Sequence, residues 1–128
     1  MEVVAKFNWR EAEGKFGFVV LVGDDEFCEI SYNPANGLIC IDASSQNGEL
    51  PEEHLGDVHC GPFVERGEEL MHFHAIVDGG IVELIVNNVT AITSGSIPKI
   101  DSNRFSVFGV DDVEFEMRTW NLKDANAM

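Results

Sequence analysis

Residues 70 to 87 read Leu70-Met71-His72-Phe73-His74-Ala75-Ile76-Val77-Asp78-Gly79-Gly80-Ile81-Val82-Glu83-Leu84-Ile85-Val86-Asn87. Two alternating runs meet at Gly79-Gly80, a two-residue loop of the kind that closes a β-hairpin. Pairing across that loop puts Met71, Phe73, Ala75 and Val77 on one face with Val82, Leu84 and Val86. His72, His74, Glu83 and Asn87 fall on the other face. An apolar face opposite a polar one is what an antiparallel sheet with one buried side requires, and a one-residue slip would invert both.

Similar short runs recur from end to end. Val3-Ala5-Phe7-Trp9 alternates, and Phe16 to Val22 is more continuously apolar. Phe27 to Tyr32, Gly37 to Asp42, Val89 to Ile97, Arg104 to Phe108 and Asp112 to Asn121 follow, separated by Gly, Asp, Asn and Pro clusters. Strands this short and regular predict an all-β fold: an antiparallel two-sheet β-sandwich, concanavalin- or jelly-roll-like. The chain has 128 residues, so one domain is expected. It is placed at 1–122, with a tail at 123–128. Residues 43 to 68 break this pattern; within them Ala43 to His54 is polar and rich in turn formers, and reads as a long surface loop.

A net charge of −15, from 8 basic and 23 acidic residues, repels phosphate backbones and anionic lipid. Nucleic acid and membranes are therefore not expected partners; the acidity suits neutral or cationic ligands, a neutral small molecule among them, and identifies none, and a homodimer built through a sheet edge or face is compatible with the pattern. No secretion signal opens the sequence, which points to the cytoplasm, or to an extracellular setting if the chain is a piece of a secreted enzyme. Cys28, Cys40 and Cys60 lack metal-site spacing. Buried free thiols are the favoured reading, with one disulfide plus a free thiol as the alternative. Asn88-Val89-Thr90 matches a glycosylation acceptor, meaningful only in a secreted chain.

His72 and His74 sit at alternate positions of one strand, about 7 Å apart on the same side. Glu83 lies diagonally across the hairpin. A histidine beside a carboxylate can move protons near neutral pH, so His72, His74 and Glu83 are the catalytic candidates. Asn87, Trp120 and Asp78 are the ligand-binding candidates. Trp120 shares a phase with Glu114, Glu116 and Arg118 and is expected to be exposed, whereas Trp9 keeps the phase of Phe7 and is expected in the core. The favoured reading of the His72/His74 face is solvated or hydrogen-bonded side chains; two histidines and a carboxylate holding a divalent metal is the least favoured, and no metal or cofactor is expected. No Ser/His/Asp order, Gly-rich phosphate loop or metalloprotease motif is present. Asp24-Asp25-Glu26 and Asp111-Asp112 read as solvated turns.

Several motifs in order carry a family resemblance. These are Lys15-Phe16-Gly17-Phe18; Ile30-Ser31-Tyr32 followed by Leu38 to Ser44; the hairpin Val77 to Asn87; Thr93 to Pro98; and Glu114 to Leu122. Together they resemble the C-terminal β-sandwich module of glycoside hydrolase family 32, the invertase and fructanase family. The resemblance implies a sandwich fold and no hydrolytic activity, because that family's catalytic carboxylates lie in a separate propeller domain with no counterpart in these residues. Ala43 stands where that family usually has arginine, Gly80 replaces the hairpin serine, Ile85 an aromatic residue and Ile97 a tyrosine. The expected function is therefore a non-catalytic module that binds carbohydrate or a protein partner. The alternative is a free-standing, cofactor-independent isomerase, cyclase or lyase working from the histidine face.

Overall fold

The computed structural model describes residues 1–23, 26–44, 58–95, 104–109 and 115–120. The acidic residues Asp24-Asp25 and Asp111-Asp112, His54, most of the predicted loop, residues 96–98 of the Thr93 to Pro98 motif and the C-terminal tail lie outside them. Glu26, expected in a solvated turn with Asp24 and Asp25, is instead buried.

Among the described residues ten strands form in chain order: β1 (Glu2–Phe7), β2 (Phe16–Val22), β3 (Cys28–Asn33), β4 (Leu38–Asp42), β5 (Val58–Pro62), β6 (Met71–Asp78), β7 (Ile81–Val86), β8 (Thr90–Gly95), β9 (Arg104–Phe108) and β10 (Phe115–Trp120). Two five-stranded antiparallel sheets result, with orders β10-β1-β6-β7-β8 and β5-β4-β3-β2-β9. The all-β sandwich expected from the alternation is the fold observed.

The predicted hairpin is β6–β7, with Asp78 opposite Ile81 and Gly79 at a φ of 59°. That left-handed conformation is one an L side chain rarely adopts, which is why glycine closes this turn. Met71, Phe73, Ala75, Val77, Val82, Leu84 and Val86 are all buried, as the alternation requires. They face Phe16, Phe18, Val20, Ile30, Ile39 and Ile41 from the second sheet. An aromatic chain runs through this core. Phe7 touches Phe16 (ring centroids 4.9 Å apart) and Phe73 (5.5 Å), and Phe16 continues to Tyr32 (5.7 Å). Each fully buried phenylalanine contributes about 1.5–3 kcal/mol relative to exposure.

Two local features explain residue choices inside β2. A Cβ on Gly17 would lie 2.0 Å from the Ile30 carbonyl oxygen, so only glycine lets β2 and β3 approach this closely. Further along, the β2–β9 register shifts between Val19 and Val22. Leu21 takes a φ of 53° there and its side chain remains in the core. The irregularity is a β-bulge, in which an extra residue is absorbed by a local kink.

Beyond the predicted loop, β5 pairs with β4 from Val58 to Pro62, a strand that the alternation does not mark. Two further expectations need correction. Trp9 is not in strand phase: it begins a 3₁₀ turn, Trp9–Glu11, although its ring still packs on the core through Phe63 (5.0 Å). The cysteines also differ from the favoured reading. The β4–β5 pairing sets Cys40 directly opposite Cys60, and the two form a disulfide across 4.1 Å between their Cα atoms. Cys28 alone stays a buried free thiol, and burial, followed by the charges of Asp42 and Glu29, pushes it up to about 12.

Candidate functional site

The outer surface of the first sheet carries the sequence-predicted site residues. Its registers set out two rows of side chains. Trp120, Glu2, Ile76, Glu83 and Thr93 form one row across the five strands. Arg118, Val4, His74, Ile85 and Ala91 form the next. Every strand turns its alternate residues inward, so each row presents one outward side chain per strand.

His74 does find a carboxylate, but on β1. Its Nε2 lies 2.5 Å from Glu2 Oε1, and the histidine side chain is 46% exposed. Glu83 stands opposite Ile76, diagonal to His74. His72 is also exposed. A proton-transfer pair gains leverage when water is excluded; here Glu2 is largely shielded but His74 meets solvent.

Asn87 has a different task. It opens the β7–β8 turn, where Asn87 and Asn88 take φ values of 50° and 58°. Its Oδ1 accepts a hydrogen bond from the His72 N–H at 2.7 Å, and its Nδ2 donates to the Leu70 carbonyl at 3.4 Å. The amide thereby holds the start of β6 against the turn. Asp78 is exposed at the end of β6. Asp42 accepts hydrogen bonds from the Ser44 N–H at 2.9 Å and from the Ser44 hydroxyl. Ala43 between them is buried, in a place where an arginine side chain would need a charged partner.

Two shallow grooves cross this face. One of about 410 Å³ is lined by Val4, His72, His74, Ile85, Asn88 and Glu68, among others. The second, about 230 Å³, is lined by Val4, Lys6, Glu116, Arg118 and Trp120. Val4 belongs to both, so the grooves meet on β1. Trp120 is 40% exposed, as its phase predicted, and its ring is set among hydrogen-bonding charged groups. That arrangement had no sequence signal, because β10 reaches β1 from the far end of the chain. The rim of the larger groove is braced by Arg10, whose guanidinium sits 4.6 Å over the Trp9 ring and contacts Glu65 at 2.7 Å. Arg10 also donates to the Glu68 carbonyl at 3.4 Å. Among the described residues no three His, Cys, Asp or Glu side chains converge as a metal site would need, and no helix is long and apolar enough to cross a membrane.

The family model described as Glycosyl hydrolases family 32 C terminal matches residues 1–121. Among solved structures, the fold is similar to exo-inulinase from Aspergillus awamori (TM-score 0.76, 17% identity), covering 91% of this chain and 24% of that one. It is similar to a β-fructofuranosidase from Aspergillus kawachii, determined in complex with glycerol (TM-score 0.73, 20% identity, 91% and 22% covered). It is also similar to sucrose-6-phosphate hydrolase from Lactobacillus gasseri (TM-score 0.67, 13% identity, 91% and 23% covered). No curated protein sequence matches the chain. The chain spans less than a quarter of the length of these three enzymes, and at such identities the likeness carries the fold alone. With a family match over residues 1–121 and a shared two-sheet architecture, the chain belongs to the glycoside hydrolase family 32 C-terminal domain family.

Proposed function

We propose that this module binds a neutral carbohydrate on the outer face of its first sheet. Family membership supports a non-catalytic β-sandwich module, and the finer reading rests on one observation: the groove where Trp120 stands among Arg118, Glu116 and Lys6. A sugar ring has an apolar face that packs on an indole and a rim of hydroxyls that need donors and acceptors. Trp120 supplies the first, and the three charged side chains supply the second. The junction at Val4 extends the surface toward His72 and His74, giving length for more than one sugar unit. A net charge of −15 suits a neutral ligand better than a phosphorylated one. The similarity to an exo-inulinase and a β-fructofuranosidase makes fructo-oligosaccharides the first ligands to try.

The test is isothermal titration calorimetry with inulin-type fructo-oligosaccharides and a panel of neutral glycans. Saturable binding that disappears in Trp120→Ala supports the reading. Absence of binding to every sugar, with retention of a protein partner on the same face, would transfer the function to protein docking.

A second reading has one observation in its favour, the 2.5 Å contact of His74 with Glu2. It is cofactor-free acid–base chemistry on a neutral small molecule. Turnover that His74→Ala abolishes would support it.

The Cys40–Cys60 disulfide supports an oxidising location over the cytoplasm, since cytosolic thiols are held reduced. Recovery of the native chain with both thiols reduced would remove that support.

A further inference from the structure

We propose that Asn88 is an N-linked glycosylation site. The proposal is independent of the carbohydrate-binding reading, because it concerns a sugar attached to the chain rather than one bound by it. Asn88-Val89-Thr90 is the only Asn-x-Ser/Thr sequence, with x other than proline, in the 128 residues. The structure places Asn88 at the tip of the β7–β8 turn, where Val89 N–H donates to the Val86 carbonyl at 3.0 Å and closes the turn. Asn88 is exposed and takes a φ of 58°. Asn88 borders the groove over the outer face of the sheet, and its exposure there leaves room for a branched sugar.

The disulfide is the second observation. Cys40 and Cys60 are joined across β4 and β5, and disulfides persist where proteins are secreted, the same route on which asparagine is glycosylated. Neither feature depends on the other, since one lies in the first sheet and the other in the second.

The reaction is a group transfer from a lipid-diphosphate oligosaccharide, supplied by a membrane-bound transferase. The Asn88 Nδ2–C1 bond forms as the bond from C1 to the diphosphate oxygen breaks. The lipid diphosphate leaves with the electron pair, and the amide gives up one proton. Such a transferase recognises the hydroxyl two residues on. In the folded chain Thr90 is buried, and its Oγ1 donates to the Pro62 carbonyl at 2.7 Å. That bond ties β8 to β5 and withdraws the hydroxyl. Modification must therefore precede the docking of β5 on β8. The finished sugar would stand at the rim of the His72/His74 groove, with β6 and β1 between it and the strand bearing Trp120.

The full chain is directed into the secretory pathway of a eukaryotic host, and intact masses are read for both secreted and lumenal pools. The expected result is a heterogeneous mass increment of one N-glycan. Peptide amidase treatment removes it and leaves aspartate at position 88. Asn88→Gln should lose the increment. Asn88→Gly should lose it too while keeping the turn, since glycine accepts a left-handed φ. A translocated, disulfide-bonded chain of unmodified mass overturns the proposal, as does an increment that survives Asn88→Gln.

Discussion

Replacing both Cys40 and Cys60 by serine removes the only disulfide a chain with three cysteines can hold beside its buried free Cys28. The bridge closes a loop between residues 20 apart in sequence. Chain-entropy bookkeeping for a loop of about 20 residues gives about 3 kcal/mol of stabilisation, from restricting the unfolded chain. Little native packing is lost with it. Cys40 is only half-buried and Cys60 is exposed, so serine leaves no core cavity. The β4–β5 ladder from Leu38–Pro62 to Asp42–Val58 survives, as does the Thr90–Pro62 hydrogen bond. The loss should therefore be close to the full loop term, a large share of the 5–15 kcal/mol that holds a typical domain. Urea unfolding followed by tryptophan fluorescence reads it directly, because Trp9 packs against Phe63, next to the end of β5. The double variant should lose about 3 kcal/mol, and oxidised wild type treated with reductant should move to the same midpoint. A loss below about 1 kcal/mol, or wild type insensitive to reductant, would refute the cross-strand clamp.

Gly17→Ala should cost about 3 kcal/mol or more, read by thermal unfolding, because the new Cβ meets backbone at Ile30 and Ser31 rather than a side chain that can move. Asn87→Ala should cost about 2 kcal/mol through a strained left-handed residue and the lost bond to His72 N–H, and Asn87→Gly should recover the backbone part. Cys28 should resist thiol reagents at neutral pH until the chain unfolds, since the thiolate is the reactive form and burial pushes the thiol up to about 12. The same shift sets a pH dependence: the neutral thiol's contribution is complete below the unfolded value of 9.0 and is lost as pH rises from there toward about 12. Denaturant midpoints of wild type should fall toward those of Cys28→Ala across that window.

What the sequence made legible was local. The alternation of Met71 to Val86 around Gly79-Gly80 specified one hairpin, its register and its buried face, because period-two patterning and turn chemistry act within a few residues. The exposure of Trp120 followed from the same periodicity. Illegible features all depended on strands distant in sequence. Glu2 reaches His74 only because β1 inserts between β10 and β6. Cys60 meets Cys40 only because a strand lacking strong alternation, Val58-His59-Cys60-Gly61-Pro62, adds to the sheet edge. Trp9 continued the strand pattern by phase, yet the chain turns at Asn8 and uses the indole to plug the sandwich end against Tyr32 and Phe63. Hydrophobic spacing cannot separate these outcomes, since each keeps the apolar residue against the core.

The central claim is that the face bearing Trp120 binds neutral sugar. It is tested most directly by titrating the ¹⁵N-labelled chain with inulin-type fructo-oligosaccharides and following its amide and indole resonances. The account predicts saturable shifts of the Trp120 indole N–H and of the Val4, Lys6 and Arg118 amides, absent in a folded Trp120→Ala variant of unchanged melting temperature. A spectrum that does not move, or shifts that persist without Trp120, would contradict it.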